Sequence, residues 1–197
     1  MNYLAHIYLS GENHSLKIGN FIADSIRGNK YLNFPKEIQQ GIILHRHIDT
    51  FTDTHKIVKE SKKRLYSKYG HYSSVIVDIL YDHFLAKNWA VYSSIPLEQY
   101  VAEFYLLLKN NFEILPLPVK HLYPYMVKDN WLLNYASIDG ITKVLEGMNR
   151  RTKNKSKMNL AVIELTKFYD DFEKEFTLFF NELIIYTNKE LSKPIIL

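Results

Sequence analysis

The sequence predicts an all-α, single-domain helical bundle, and three observations carry that expectation. Apolar residues recur with a period near 3.6, while alternation with period two is scarce. Only 7 Gly and 6 Pro stand among 197 residues, too few turn markers for a β-sandwich. No internal repeat, low-complexity linker or composition shift divides residues 1–197, and that length suffices for one domain with its own core.

The elements follow in order. Ser15 can cap a helix whose Ile18, Phe21, Ile22 and Ile26 share a stripe, with Gly28 just past its end. Pro35 suits a first helical position and opens a helix to about residue 50. A basic helix over about 54–69 ends near Gly70. Ser73 to about Ser93 reads as one long helix, and Pro96 opens another through Phe112. Pro116, Pro118 and Pro124 crowd the next stretch, which therefore reads as a connection. Shorter helices are expected over 126–135 and 138–149. The last, from about Asn159 to Glu190, carries Leu160, Ile163, Leu165, Phe168, Phe172, Phe176 and Phe180 on or near one face.

Composition narrows the function. The chain has no cysteine, which excludes disulfides, zinc–thiolate sites and cysteine nucleophiles. Any metal must be held by His, Asp, Glu or carbonyl oxygens. The first residues, MNYLAHIYLSGEN, have no basic leader region, and no window approaches the roughly 18 apolar residues of a membrane span. A cytoplasmic location is the expectation. The net charge of +4, from 25 basic and 21 acidic side chains, permits an acidic partner without demanding one.

Polar groups recur on faces that should point inward. At 100° per residue, Ile38, Ile42, His45 and Asp49 fall in one wedge. Val75, Ile79, Asp82, Ala86 and Trp89 share another stripe, flanked by Asp78 and His83. Asn20 and Asp24 lie one turn apart beside an apolar stripe, and His6 stands within an apolar run. Burying several carboxylates without a partner is costly, and like charges repel. A divalent cation would satisfy them together, and an oxygen-rich site with few nitrogens and no sulfur suits Mn²⁺ or Mg²⁺. Taken singly, each residue has a plainer reading. His45 could be a hydrogen-bonded core histidine, Asp78 could pair with a lysine, Asp53 could cap the basic helix, and Asp24 could be solvated. The conjunction over three helices favours the metal.

The blocks MNYLAHIYLS, GNFIADSIRGN, GIILHRHIDTFTD, VDILYDHFLAKNW and LEGMNRR, in this order and spacing, resemble the acyl carrier protein phosphodiesterases, a divergent branch of the HD phosphohydrolases. The resemblance implies an HD-like helical bundle and a divalent metal, Mn²⁺ with Mg²⁺ as substitute. It also implies hydrolysis of the phosphodiester that joins 4′-phosphopantetheine to a serine of holo acyl carrier protein. His6, Asn20, Asp24, Arg27, His45, Asp49, Asp53, Asp78, Asp82, His83, Arg150 and Arg151 match positions in the family's blocks. The only adjacent His and Asp here, Asp82-His83, stand in the reverse order of the ordinary HD signature.

On that resemblance Asp24, His45, Asp82 and His83 are expected to bind the metal. Asp49 and Asp78 would support those ligands or serve as general base. His6 would be the acid for the leaving serine oxygen, or a further ligand. Arg27, with Arg150 and Arg151, would meet the substrate. The partner is expected to be acidic, and two basic runs could receive it: 56–68, and 150–157, which contains no acid. Nucleic acid is not expected, because no stacking or base-reading motif accompanies these runs. Two other readings stay open. One is an HD-type metallophosphohydrolase acting on nucleotides or small phosphoesters; the other is a non-catalytic helical binding protein.

Overall fold

A computed structural model describes residues 1–193, so the last four positions of the expected 1–197 domain lie outside the described residues. Twelve α-helices occur in this range and no strand does. They are α1 (Tyr3–Leu9), α2 (His14–Ile22), α3 (Lys36–Thr54), α4 (Lys56–Tyr69), α5 (Ser73–Lys87), α6 (Trp89–Tyr92), α7 (Leu97–Asn110), α8 (Leu117–Lys128), α9 (Trp131–Asn134), α10 (Ile138–Arg151), α11 (Ala161–Lys167) and α12 (Tyr169–Leu191). The all-α expectation holds.

Helix α5 is the axis of the bundle. Ile76, Val77, Ile79, Leu80, Tyr81, Phe84 and Leu85 are all wholly buried, so the helix is apolar all round, as a central helix must be. Helix α12 lays Phe172, Phe176, Phe179 and Phe180 against it, with Tyr81 edge-on to Phe176 at 5.8 Å. Each such side chain contributes about 1.5–3 kcal/mol on leaving water. A face of α5 that looks inward can therefore look toward several different neighbours. For that reason a stripe drawn on α5 does not say which residues meet.

Helices α2 and α3 pack backbone against backbone. A Cβ on Gly19 would lie 2.2 Å from the Ile38 carbonyl oxygen, and one on Gly41 would lie 2.4 Å from that of Leu16. Only two glycines facing each other permit this approach. It sets Asn20, next to Gly19, against His45, one turn beyond Gly41.

Several boundaries differ from the sequence expectation. Asn13, not Ser15, caps α2, its side chain accepting from Leu16 N at 3.0 Å. That helix stops at Ile22 and tightens into a 3-10 turn, Ala23–Ser25, before reaching Gly28. The long helix from Ser73 breaks at Asn88 and the last one at Phe168, leaving Leu160 and Ile163 exposed. The proline-rich stretch is helix α8. Pro118 sits in its first turn, where the missing N–H is not needed, and Val119 and Met126 anchor it. Pro124 lies inside it on an exposed face, where water can replace the lost bond.

Candidate metal centre

The site is built on α1, the end of α2 and the middle of α3. His6 and His45 stack with ring centroids 4.0 Å apart and 18° between planes. Both Nε2 atoms face Asp49: His6 Nε2 lies 3.3 Å from Oδ1, and His45 Nε2 lies 3.0 Å from Oδ2. Asp24 closes the outer side, its Oδ1 3.2 Å from His45 Nε2. The two histidines are buried, Asp49 is half-buried and Asp24 is exposed, so the group lies at the inner end of an open rim. Among the described residues, His6, His45 and Asp49 form the one group of three or more His, Asp or Glu residues that each offer a ligand atom within 4.8 Å of the others.

Charge in the site follows from these contacts. Burial works against a charged His45, but hydrogen bonds to Asp24 and Asp49 carry its pKa up to about 9. Burial and the nearby His45 charge take His6 down to about 4. Burial would raise Asp49, yet the hydrogen bond from His45 holds it well below the usual carboxylate range. The hydrogen bond from His45 likewise lowers Asp24. The metal-free site thus holds one imidazolium, one neutral imidazole and two carboxylates.

The donor set fits a hard divalent cation. His6 Nε2 is buried without a hydrogen-bond partner, although a carboxylate lies 3.3 Å away. Such an orphan is explained if the atom carries a lone pair rather than a proton. Two imidazole nitrogens and two carboxylates converge there from three segments, with no sulfur.

Other expected residues lie elsewhere. Asp82 is wholly buried and accepts from the backbone N–H groups of Asn2 (3.2 Å), Leu4 (2.7 Å) and Ala5 (3.3 Å). It caps the first turn of α1 and is not brought to the His6–His45–Asp49 group. Burial pushes its carboxyl up to about 7, against the Met1 ammonium and those three amides. His83 spends Nδ1 on the Tyr135 carbonyl at 2.7 Å and Nε2 on the Tyr169 hydroxyl at 2.8 Å. Neither nitrogen is free for a metal, so the expectation for His83 is corrected along with that for Asp82. The physical reason is the central position of α5: its buried polar residues are satisfied by different neighbours. Asp78 pairs with the Met1 amino group at 3.0 Å, and Asp53 turns outward to Lys62 at 2.8 Å.

The arginines divide similarly. Burial, with Asp24, raises the pKa of the Tyr3 hydroxyl, and the Arg151 charge works against that rise. Arg151 is exposed, its guanidinium 3.7 Å from Met148 Sδ. Arg150 is exposed and pairs loosely with Glu146 at 3.9 Å. Arg27 is exposed at the turn that follows Asp24. That turn is held to α3 by Arg46, which donates to the Gly28 carbonyl at 2.8 Å. Sequence reasoning gave Arg46, Tyr3, Ser10 and Asn20 no role. The nearest signal was Asn20, a polar residue beside an apolar stripe and next to a glycine.

A helical domain that gathers two imidazoles and two carboxylates at an open rim is a framework suited to metal-assisted hydrolysis. Residues 1–183 match the family model described as acyl carrier protein phosphodiesterase. The acyl carrier protein phosphodiesterase of Yersinia pestis is 31% identical over 181 residues, covering 91% of this chain and 94% of that protein. The protein of the same name from Klebsiella pneumoniae strain 342 is 32% identical over 193 residues, covering 97% and 100%. No solved structure matches. The chain belongs to the acyl carrier protein phosphodiesterase family.

Proposed function

We propose that this chain hydrolyses the phosphodiester between 4′-phosphopantetheine and a serine of holo acyl carrier protein, releasing apo protein and free 4′-phosphopantetheine. In this reading His6, His45, Asp49 and Asp24 hold a divalent cation, Mn²⁺ with Mg²⁺ as substitute. The observation that carries it is the convergence of His6, His45 and Asp49 from two helices distant in sequence, inside a family named for this reaction. When bound, such an ion offsets the charge of a phosphate oxygen and acidifies a water.

The chain's own residues do the rest. His6 and His45 offer lone pairs from a buried floor, and Asp49 supplies charge between them. Asp24, exposed on the outer side, is the carboxylate best placed to take a proton from water. Arg151, whose charge acts on Tyr3, and Arg27, on the turn after Asp24, would grip the phosphate through charge-assisted hydrogen bonds. With Nδ1 bonded to Asn20 and Nε2 turned to the centre, His6 serves as a ligand rather than as the acid for the leaving oxygen.

Holo acyl carrier protein is acidic, as the family resemblance implies, and the run at 150–157 is the better of the two candidate surfaces. Lys153, Lys155 and Lys157 are exposed there beside Arg151. Much of the basic face of α4 is already paired, Lys62 with Asp53 and Lys68 with Glu164.

The test is incubation with holo acyl carrier protein and Mn²⁺, reading the mass loss of the prosthetic group. Asp24→Ala and His45→Ala should each lower turnover about 100-fold or more and leave the helical circular dichroism spectrum intact. Unchanged turnover in both would remove the assignment. Cleavage of small phosphoesters with holo carrier protein left intact would favour a different substrate for the same centre.

A further inference from the structure

We infer that Asn20 is a positioning residue that keeps hydrogen on Nδ1 of both imidazoles, so that each ring can meet a cation only through Nε2: His6 with its lone pair already there, His45 once the cation displaces its Nε2 proton. The inference rests on the reading of His6, His45 and Asp49 as cation ligands and extends it to a residue that touches none of the reacting atoms.

Asn20 is wholly buried, and its amide orientation is set by chemistry. The Nδ2 end donates to the His6 carbonyl oxygen at 2.8 Å and to Ser10 Oγ at 3.0 Å. Ser10 Oγ gives its own proton to the same His6 carbonyl at 2.9 Å, so toward Asn20 it can only accept. The reversed amide would set its oxygen against two acceptors in a buried place. The Oδ1 end is therefore the one that faces the rings. It lies 2.8 Å from His6 Nδ1 and 3.2 Å from His45 Nδ1, while the Asn20 main-chain oxygen lies 2.9 Å from His45 Nδ1. Carbonyl oxygens accept and never donate, so both Nδ1 atoms carry hydrogen. A neutral ring with hydrogen on Nδ1 has its lone pair on Nε2. One buried side chain, propped by Ser10, thus decides which edge of two rings can bind a cation. The orphaned His6 Nε2 is the expected signature.

A merely structural Asn20 would affect folding and nothing else, so the test reads the tautomer. In metal-free protein carrying ¹⁵N-histidine, His6 should show a protonated Nδ1 and an unprotonated Nε2. In Asn20→Leu, His6 should shift toward the Nε2–H form, donating to Asp49, and the dissociation constant for Mn²⁺ alone should rise about 10–100-fold. A wild-type His6 protonated on Nε2 would overturn the inference whatever the variants do. So would a folded Asn20→Leu protein with unchanged tautomer and Mn²⁺ affinity. If Asn20→Leu does not fold, Ser10→Ala decides: it removes one prop and should weaken Mn²⁺ about threefold with its helical spectrum kept, and unchanged affinity would sink the idea. None of these measurements uses carrier protein, so their failure is distinct from failure of the phosphodiesterase reading.

Discussion

At the scale of single residues, the two stacked histidines give the metal-free protein an unusual pH dependence. His45 has a folded-state pKa of about 9, above its unfolded value of about 6.5. Its contribution to stability is full below the unfolded value and is lost as pH rises through 9. His6 has a folded-state pKa of about 4, so its contribution is full above about 6.5 and lost as pH falls toward 4. The buried Asp82, whose carboxyl is raised to about 7, has the opposite sign to His6 on the acid side, so urea midpoints of metal-free protein should show their clearest change as a fall between about pH 6.5 and 9. His45→Ala should flatten the alkaline side of that curve; an unaltered alkaline slope would contradict the assignment. Uptake of Mn²⁺ near neutral pH should also release about one proton, the one that His45 holds, and this is measurable by calorimetry in buffers of different ionisation enthalpy.

Asp82 belongs to the same scale and separates ligands from structural acids. Asp82→Ala leaves the buried N–H groups of Leu4 and Ala5 and the part-buried one of Asn2 without an acceptor, a loss of about 2–4 kcal/mol read as a lower denaturant midpoint. The fraction that remains folded should still take up one Mn²⁺ per site, more weakly because α1 carries His6. His45→Ala should lose most of the metal affinity, and its stability loss should shrink as pH rises toward 9, where the imidazolium contribution vanishes. If Asp82→Ala abolishes Mn²⁺ uptake at unchanged stability, then Asp82 is a ligand after all.

At the scale of elements, the seam between α2 and α3 holds the site together. Gly19→Ala places a methyl group 2.2 Å from the Ile38 carbonyl, so the helices must part. Overpacking of this kind costs about 1–3 kcal/mol, and the shift would draw Asn20 away from His45. Both a lower melting temperature and weaker Mn²⁺ binding are expected. Gly147→Ala on α10 is the control. Its Cβ would meet nothing nearer than Arg150 Nη2 at 3.8 Å, and it should raise stability by about 0.5–1 kcal/mol. Helix α8 teaches a related lesson. Three prolines looked like a break in the pattern, yet only Pro124 lies where a helix needs an N–H, and it lies on the outside.

At the scale of the molecule, the basic run is a shaped surface. Lys153, Asn154 and Lys157 adopt left-handed backbone angles, with φ of 54°, 61° and 56°. Such angles are uncommon for residues other than glycine, and here an internal network holds them. Asn149 Nδ2 donates to Asn154 Oδ1 at 3.0 Å, and the buried Ser156 donates to Asn149 Oδ1 at 3.1 Å. The loop thereby fixes its cations in place beside Arg151. If holo acyl carrier protein docks there, raising salt should raise KM with little change in kcat. Lys153→Glu with Lys155→Glu should raise KM about 10-fold or more while Mn²⁺ affinity stays unchanged. A KM indifferent to both salt and charge reversal would place docking elsewhere.

The sequence by itself determined that the chain is helical, roughly where most helices begin and end, and that His45 and Asp49 share an inward wedge. Those features are local: one turn of helix relates the residues, and periodicity reports it. The same periodicity could not separate Asp49 from Asp82 and His83, because an inward direction on α5 leads to several neighbours. Only the tertiary structure decided that His6, ahead of a loop and two helices, stacks on His45, while His83 turns to Tyr135 and Tyr169. The deciding contact was the approach of Gly19 to Gly41, a meeting of two backbones that no spacing within either helix encodes.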